Sequence, residues 1–141
     1  MRFLDTTRWS ALLLTVVALN ACHHDAPFAT QITSMEYPRL AALAQISGTV
    51  VLRVRIDSAG EVLSATGRSG HPILIKAAEA NIKLWRFSAG RSSGQKAESE
   101  IDFTYVFELK GVSDAPRPCS GLTYEYPNRV TITSEAPLVM P

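Results

Sequence analysis

Residues 101–109 read Ile-Asp-Phe-Thr-Tyr-Val-Phe-Glu-Leu, and every second one, from Ile101 through Phe103, Tyr105 and Phe107 to Leu109, is large and apolar. Successive side chains of a β-strand point to opposite faces, so this period of two sets the bulky groups on one side of a sheet. The run Thr49–Asp57 repeats the pattern with Val50, Leu52, Val54 and Ile56 inside and Arg53 and Arg55 outside. Strands with one buried face need a covering layer. Pro72–Trp85 supplies it: Ile75, Ala78, Ile82 and Trp85 recur at spacings of three, four and three, the stripe of an amphipathic helix. Lys76, Glu79 and Lys83 fall largely on its other side, with Glu79 four residues before Lys83.

The remaining elements follow from local chemistry. Pro38 suits a first helical position, Arg39–Gln45 is rich in helix formers, and Gly48 ends that short helix. Asp57-Ser58-Ala59-Gly60 has turn residues, so Glu61–Thr66 returns as the second strand of a hairpin. The order helix, strand, strand, helix, strand predicts an α+β domain. Gly111–Ser120, with two prolines and Cys119, reads as a linker, and the β-branched residues of Arg129–Thr133 can add one late strand at a sheet edge.

The N-terminal region has a different character. Arg2 and Arg8 precede the apolar run Ala11–Leu19, and small residues surround Cys22, which is the pattern of a secretory signal over residues 1–21. A helix over 11–19 spans roughly 14 Å against a hydrocarbon core of about 30 Å, too short for a membrane crossing. Leu19-Asn20-Ala21-Cys22 resembles a bacterial lipobox, which makes Cys22 a lipidation site and the first mature residue. Two other readings stand beside it: a Cys22–Cys119 disulfide, and a metal site with His23 and His24, whose adjacency gives poor tetrahedral geometry. Residues 22–34 have no sustained period and are expected to form a short tether.

Charge and composition remove several function classes. Taking Arg2, Arg8 and Asp5 away from 14 basic and 13 acidic residues leaves 12 of each, so the mature chain has no basic surplus with which to bind nucleic acid. His71 has no carboxylate or nucleophile near it in sequence, and Trp85 and Phe87 are spaced as core residues. Glu98, Glu100 and Asp102 are expected to solvate and blunt an exposed strand. No catalytic, metal or cofactor site is expected, and an enzyme is disfavoured.

Five segments together resemble the C-terminal domain of TonB, the energy-transducing protein of Gram-negative bacteria. They are Tyr37-Pro38, Ile46–Val50, the turn Asp57–Val62, the helix end from Ala80, and Trp85-Arg86-Phe87. The resemblance covers residues 35–110 and implies an antiparallel sheet of about three strands packed against two helices, with 111–141 as an extension. It also implies strand addition, in which an extended segment of an outer-membrane or other envelope protein pairs with the edge strand. Carried over by position, that edge is Ile101, Asp102, Phe103, Thr104, Tyr105, Val106 and Phe107. The implied setting is the periplasmic face of the envelope, with a membrane contact through lipid on Cys22 and a link to transmembrane transport. Full transducers resemble a rod with a membrane helix and a long proline-rich spacer, whereas the 12 residues 23–34 that follow Cys22 reach roughly 40 Å. The alternative is a structural or assembly domain that dimerises or covers its own sheet edge, without energy transduction.

Overall fold

The computed structural model describes residues 26–92, 94–113 and 120–137. The expected signal segment, Cys22 and Cys119 lie outside the described residues. Among the described residues two helices, α1 (Arg39–Leu43) and α2 (Pro72–Ile82), accompany nine strands: β1 (Phe28–Gln31), β2 (Gly48–Ile56), β3 (Val62–Ser69), β4 (Arg86–Ser88), β5 (Arg91–Ser92), β6 (Gln95–Lys96), β7 (Ser99–Ser113), β8 (Ser120–Glu125) and β9 (Arg129–Pro137).

The alternating runs meet as their periodicity requires. In the antiparallel β2–β7 ladder, Val50 stands opposite Tyr105 and Leu52 opposite Phe103, so the apolar faces coincide. Val50, Leu52, Val54, Ile56, Phe103 and Tyr105 are fully buried, with Trp85 among them. Trp85 meets Phe103 edge-on at 5.4 Å between centroids. The helix stripe is rotated slightly from the expected one: Leu74, Ala78, Asn81 and Ile82 are buried, and Ile75 is half-buried. Ile75 instead lies over Gly67 of β3, where any Cβ would collide with its side chain.

The hairpin turn closes by the chemistry of Asp57. Its Oδ1 accepts from the backbone N–H groups of Ala59 and Glu61, both at 2.8 Å. Gly60 adopts φ +89°, and its carbonyl accepts from the Phe87 N–H at 2.9 Å. This close approach ties the hairpin to the segment that follows α2.

Four expectations need correction. The main sheet has five strands in the order β3-β2-β7-β9-β8, not about three, and it is mixed, because β9 runs parallel to β7. Ile101–Phe107 is therefore not an edge: β2 flanks it on one side and β9 on the other. The physical reason is β9's own alternation, in which Val130, Ile132, Ser134 and Ala136 are buried and the residues between them half-exposed, so the tail has a complete face for the core. The late strand extends to Pro137 and lies inside the sheet, while β8 takes the edge. Finally, the expected tether contains β1, which pairs antiparallel with β4, Ala29 opposite Phe87.

Gly60 gives the most direct test of these contacts, because a Cβ there meets the Phe87 carbonyl while positive φ adds strain. Gly60→Ala is expected to cost at least about 2 kcal/mol in denaturant unfolding. Gly94, at φ +80° with nothing within 4 Å, isolates the backbone effect; Gly94→Ala is expected to cost about 1 kcal/mol. Equal losses would show that the Phe87 contact is absent.

Candidate functional site

The candidate site is the side of β7 that the family resemblance assigns to a partner. There β9 runs in register from Thr104 opposite Arg129 to Leu109 opposite Ser134; a shift then brings Val112 opposite Ala136. The turn between β8 and β9 fastens the start of this ladder. The Thr104 N–H donates to the Asn128 carbonyl at 2.9 Å, and Asn128 Nδ2 donates to the Asp102 carbonyl at 2.7 Å. On the core side, α1 packs against β9 with Ala41 and Ala42 buried, and Tyr37 stands edge-on to Phe107 at 5.6 Å. The Tyr37 hydroxyl donates to the Ile46 carbonyl at 2.7 Å, closing the loop after α1.

The seven residues assigned to the edge divide by face. Phe103, Tyr105 and Phe107 point into the core and Ile101 packs at its margin; Thr104 and Val106 are half-buried on the outer face and Asp102 is exposed. Arg53 of β2 grips Asp102 with two hydrogen bonds, Nε to Oδ1 at 2.6 Å and Nη2 to Oδ2 at 3.1 Å, and also donates to Glu100 at 3.0 Å. These bonds from Arg53 hold the Asp102 carboxyl below the usual carboxylate range. Arg55 pairs with Glu98. The acidic cluster thus answers the arginines of the neighbouring strand on a solvent-facing surface, where such pairs contribute little to stability.

The buried chemistry lies on the opposite face. Asn81 Oδ1 accepts from Trp85 Nε1 and from the Tyr105 hydroxyl, each at 2.9 Å. Its Nδ2 donates to the carbonyls of Thr33 at 3.1 Å and Ser34 at 3.4 Å, and Trp85 Nε1 also reaches the Thr33 carbonyl at 3.2 Å. Sequence reasoning missed Asn81. Its signal was a polar residue inside the apolar stripe, four positions before a tryptophan whose N–H needs an acceptor.

His71, weighed as a base, is exposed at the start of α2, where its Nδ1 accepts from the Ile73 N–H at 3.3 Å. Among the described residues no group of three or more His, Cys, Asp or Glu is arranged to hold a metal ion, and no helix is long and apolar enough to cross a membrane. The exposed aromatics Phe28 and Tyr126 lie 6.1 Å apart and line an open recess with Ala89 and Arg91.

The family model described as Gram-negative bacterial TonB protein C-terminal matches residues 33–109. The match begins at Thr33, whose carbonyl receives the Asn81 and Trp85 donors, and ends inside β7, so β8 and β9 lie beyond it. No curated protein matches the chain.

Burial pushes the Tyr105 hydroxyl far above the ordinary tyrosine range. The folded chain therefore keeps a proton that the unfolded chain releases near pH ~10. This contribution to stability is complete below that pH and declines as pH rises toward the folded value. The denaturant midpoint is expected to fall between about pH 9.5 and 11.5, and to fall less in Tyr105→Phe, which keeps the ring without the proton. Equal declines would assign the alkaline sensitivity to other groups.

Proposed function

The chain belongs to the family of Gram-negative bacterial TonB protein C-terminal domains, and from that premise we propose that it acts in the cell envelope as a self-complemented assembly domain. It is exported, anchored through lipid on Cys22, and linked to TonB-dependent transport without transducing energy itself. The observation that carries the reading is β9 lying along β7, where the family resemblance assigns a partner's strand. An edge strand binds through unpaired N–H and C=O groups, and a ladder that is already made has few to offer.

Support for a non-enzymatic role comes from the chemistry of the fold. The buried polar groups bond one another, His71 caps a helix, and Arg53 and Arg55 are paired with carboxylates. Support for a membrane-proximal position comes from the docking of β1 on β4. Four chain steps lead from Cys22 to Ala26, a reach of at most roughly 14 Å. A lipid on Cys22 then holds the domain beside the membrane, not at the end of a rod.

A second reading is favoured by the parallel β7–β9 pairing, which is slightly weaker per residue than antiparallel pairing. In it, an extended receptor segment displaces β9 and pairs with Ile101–Phe107.

Two measurements test these readings. Produced in a bacterium with a lipoprotein pathway, the protein is expected in the membrane fraction with the mass of added acyl chains, and Cys22→Ala is expected to release or misprocess it. A native Cys22–Cys119 disulfide would remove the anchor from the proposal. For the edge, the mature chain is compared with one ending at Lys110 in binding an extended outer-membrane receptor peptide, after each shows a cooperative melt. The self-complemented reading expects binding only after the tail is removed. Tight binding by the intact chain, with loss of hydrogen-exchange protection in β9, would overturn it in favour of displacement.

A further inference from the structure

The chain enters the fold beside the open recess. Ala26 and Phe28 line it together with Ser88 of β4, Ala89, Arg91 of β5 and Tyr126 of the turn between β8 and β9. Phe28 and Tyr126 stay 39% and 72% exposed although their rings lie 6.1 Å apart. Thr30 Oγ1 donates to the Arg86 carbonyl at 3.1 Å and reinforces the β1–β4 ladder, so this end of the chain has a set position. The β5–β6 hairpin places Arg91 directly opposite Lys96, and opposed residues of an antiparallel pair share a face. Both are exposed, and among the described residues neither meets a carboxylate, whereas Arg53, Arg55, Arg86 and Arg129 all do. Like charges set opposite each other weaken a hairpin, and an anionic occupant offsets that repulsion.

We propose that this recess and hairpin form a docking surface for the anionic face of the membrane that carries the anchor. The inference rests on lipid at Cys22, as in the proposed function. Ala26, at most roughly 14 Å along the chain from Cys22, lines the recess itself, so the anchor brings this part of the domain to the bilayer first. A bilayer interface offers both complements at adjacent depths: phosphates for Arg91 and Lys96, and below them the zone where tyrosine rings settle and phenylalanine is buried. A soluble anion would answer the cations and leave the two rings in water. An apolar peptide would cover the rings and leave the cations facing each other. Lipid and basic patch then act as two signals, one holding the domain at the membrane and the other fixing its orientation.

The test couples the mature chain, carrying Cys119→Ser, through Cys22 to a maleimide lipid in vesicles. Amides of β1 and of the β5–β6 hairpin are expected to exchange more slowly on phosphatidylglycerol than on phosphatidylcholine. Phe28→Ser, Tyr126→Ser and the pair Arg91→Gln with Lys96→Gln are each expected to reduce that difference, once a cooperative melt near that of the parent is shown. Lys76→Gln on α2 and Leu40→Ser on α1, both exposed, are expected to leave it unchanged. For the uncoupled chain with Cys22→Ser, partition onto phosphatidylglycerol vesicles is expected to fall roughly fivefold for each of Arg91→Gln and Lys96→Gln. Equal exchange on the two lipids, or a difference that survives loss of both cations, would overturn the docking surface. The same slowing by inorganic phosphate alone would also overturn it, in favour of a phosphate site. Because coupling replaces the cellular anchor, a cell-made chain without acyl chains would count against the proposed function and not against this surface.

Discussion

One carboxamide, that of Asn81 near the end of α2, joins two segments distant from it in sequence, β7 and the chain before α1. It accepts from Trp85 and Tyr105 and donates to the carbonyls of Thr33 and Ser34. In a core this apolar, losing a partner leaves a buried group unsatisfied at about 1–3 kcal/mol. The four bonds therefore select one arrangement of α2, β7 and the N-terminal segment over slightly shifted alternatives. The docking of Thr33 and Ser34, the placement of Trp85 on the sheet and the fixed position of Tyr105 all depend on this group. Among the described residues no buried side-chain polar atom lacks a partner.

The parts of the fold legible in the sequence were those set by local periodicity or turn chemistry. β2 and β7 alternate cleanly, α2 carries an apolar stripe, and Asp57 closes its turn on the backbone of Ala59 and Glu61. Choice of neighbour was not legible. The Val130–Ile132 alternation marks a strand, but nothing local says that it pairs in parallel with β7. The short strand β1 fell below the length at which a period can be recognised, since its partner Arg86–Ser88 lies more than 50 residues away. The edge assignment failed for the same reason: whether a strand is an edge is a property of the other strands.

The outer face of the sheet shows how register is kept without much added stability. Arg53 with Asp102 and Glu100, and Arg55 with Glu98, join β2 to β7 on a surface open to solvent. Exposed pairs of this kind add little to stability. Their charges nevertheless penalise a slip of one residue, which would carry arginine and carboxylate side chains to the core face. The core pattern and the charge pattern therefore specify the same alignment, a consistency expected of a sequence with one folded state.

The tail is integral to that state. The family match ends at Leu109, yet Val130 and Ile132 are fully buried beyond it, and α1 packs against the strand that carries them. Burial of two such side chains contributes roughly 3–6 kcal/mol. A receptor segment that replaced β9 through backbone hydrogen bonds alone would leave that apolar area uncovered beside Phe107 and α1. To compete, it would need its own alternating apolar residues in the same register, in addition to an effective concentration matching that of a strand already tethered to the site. Both requirements favour the intramolecular strand. The same geometry that keeps β7 closed carries the unpaired edge outward to β8, a strand that the TonB-like segment does not contain.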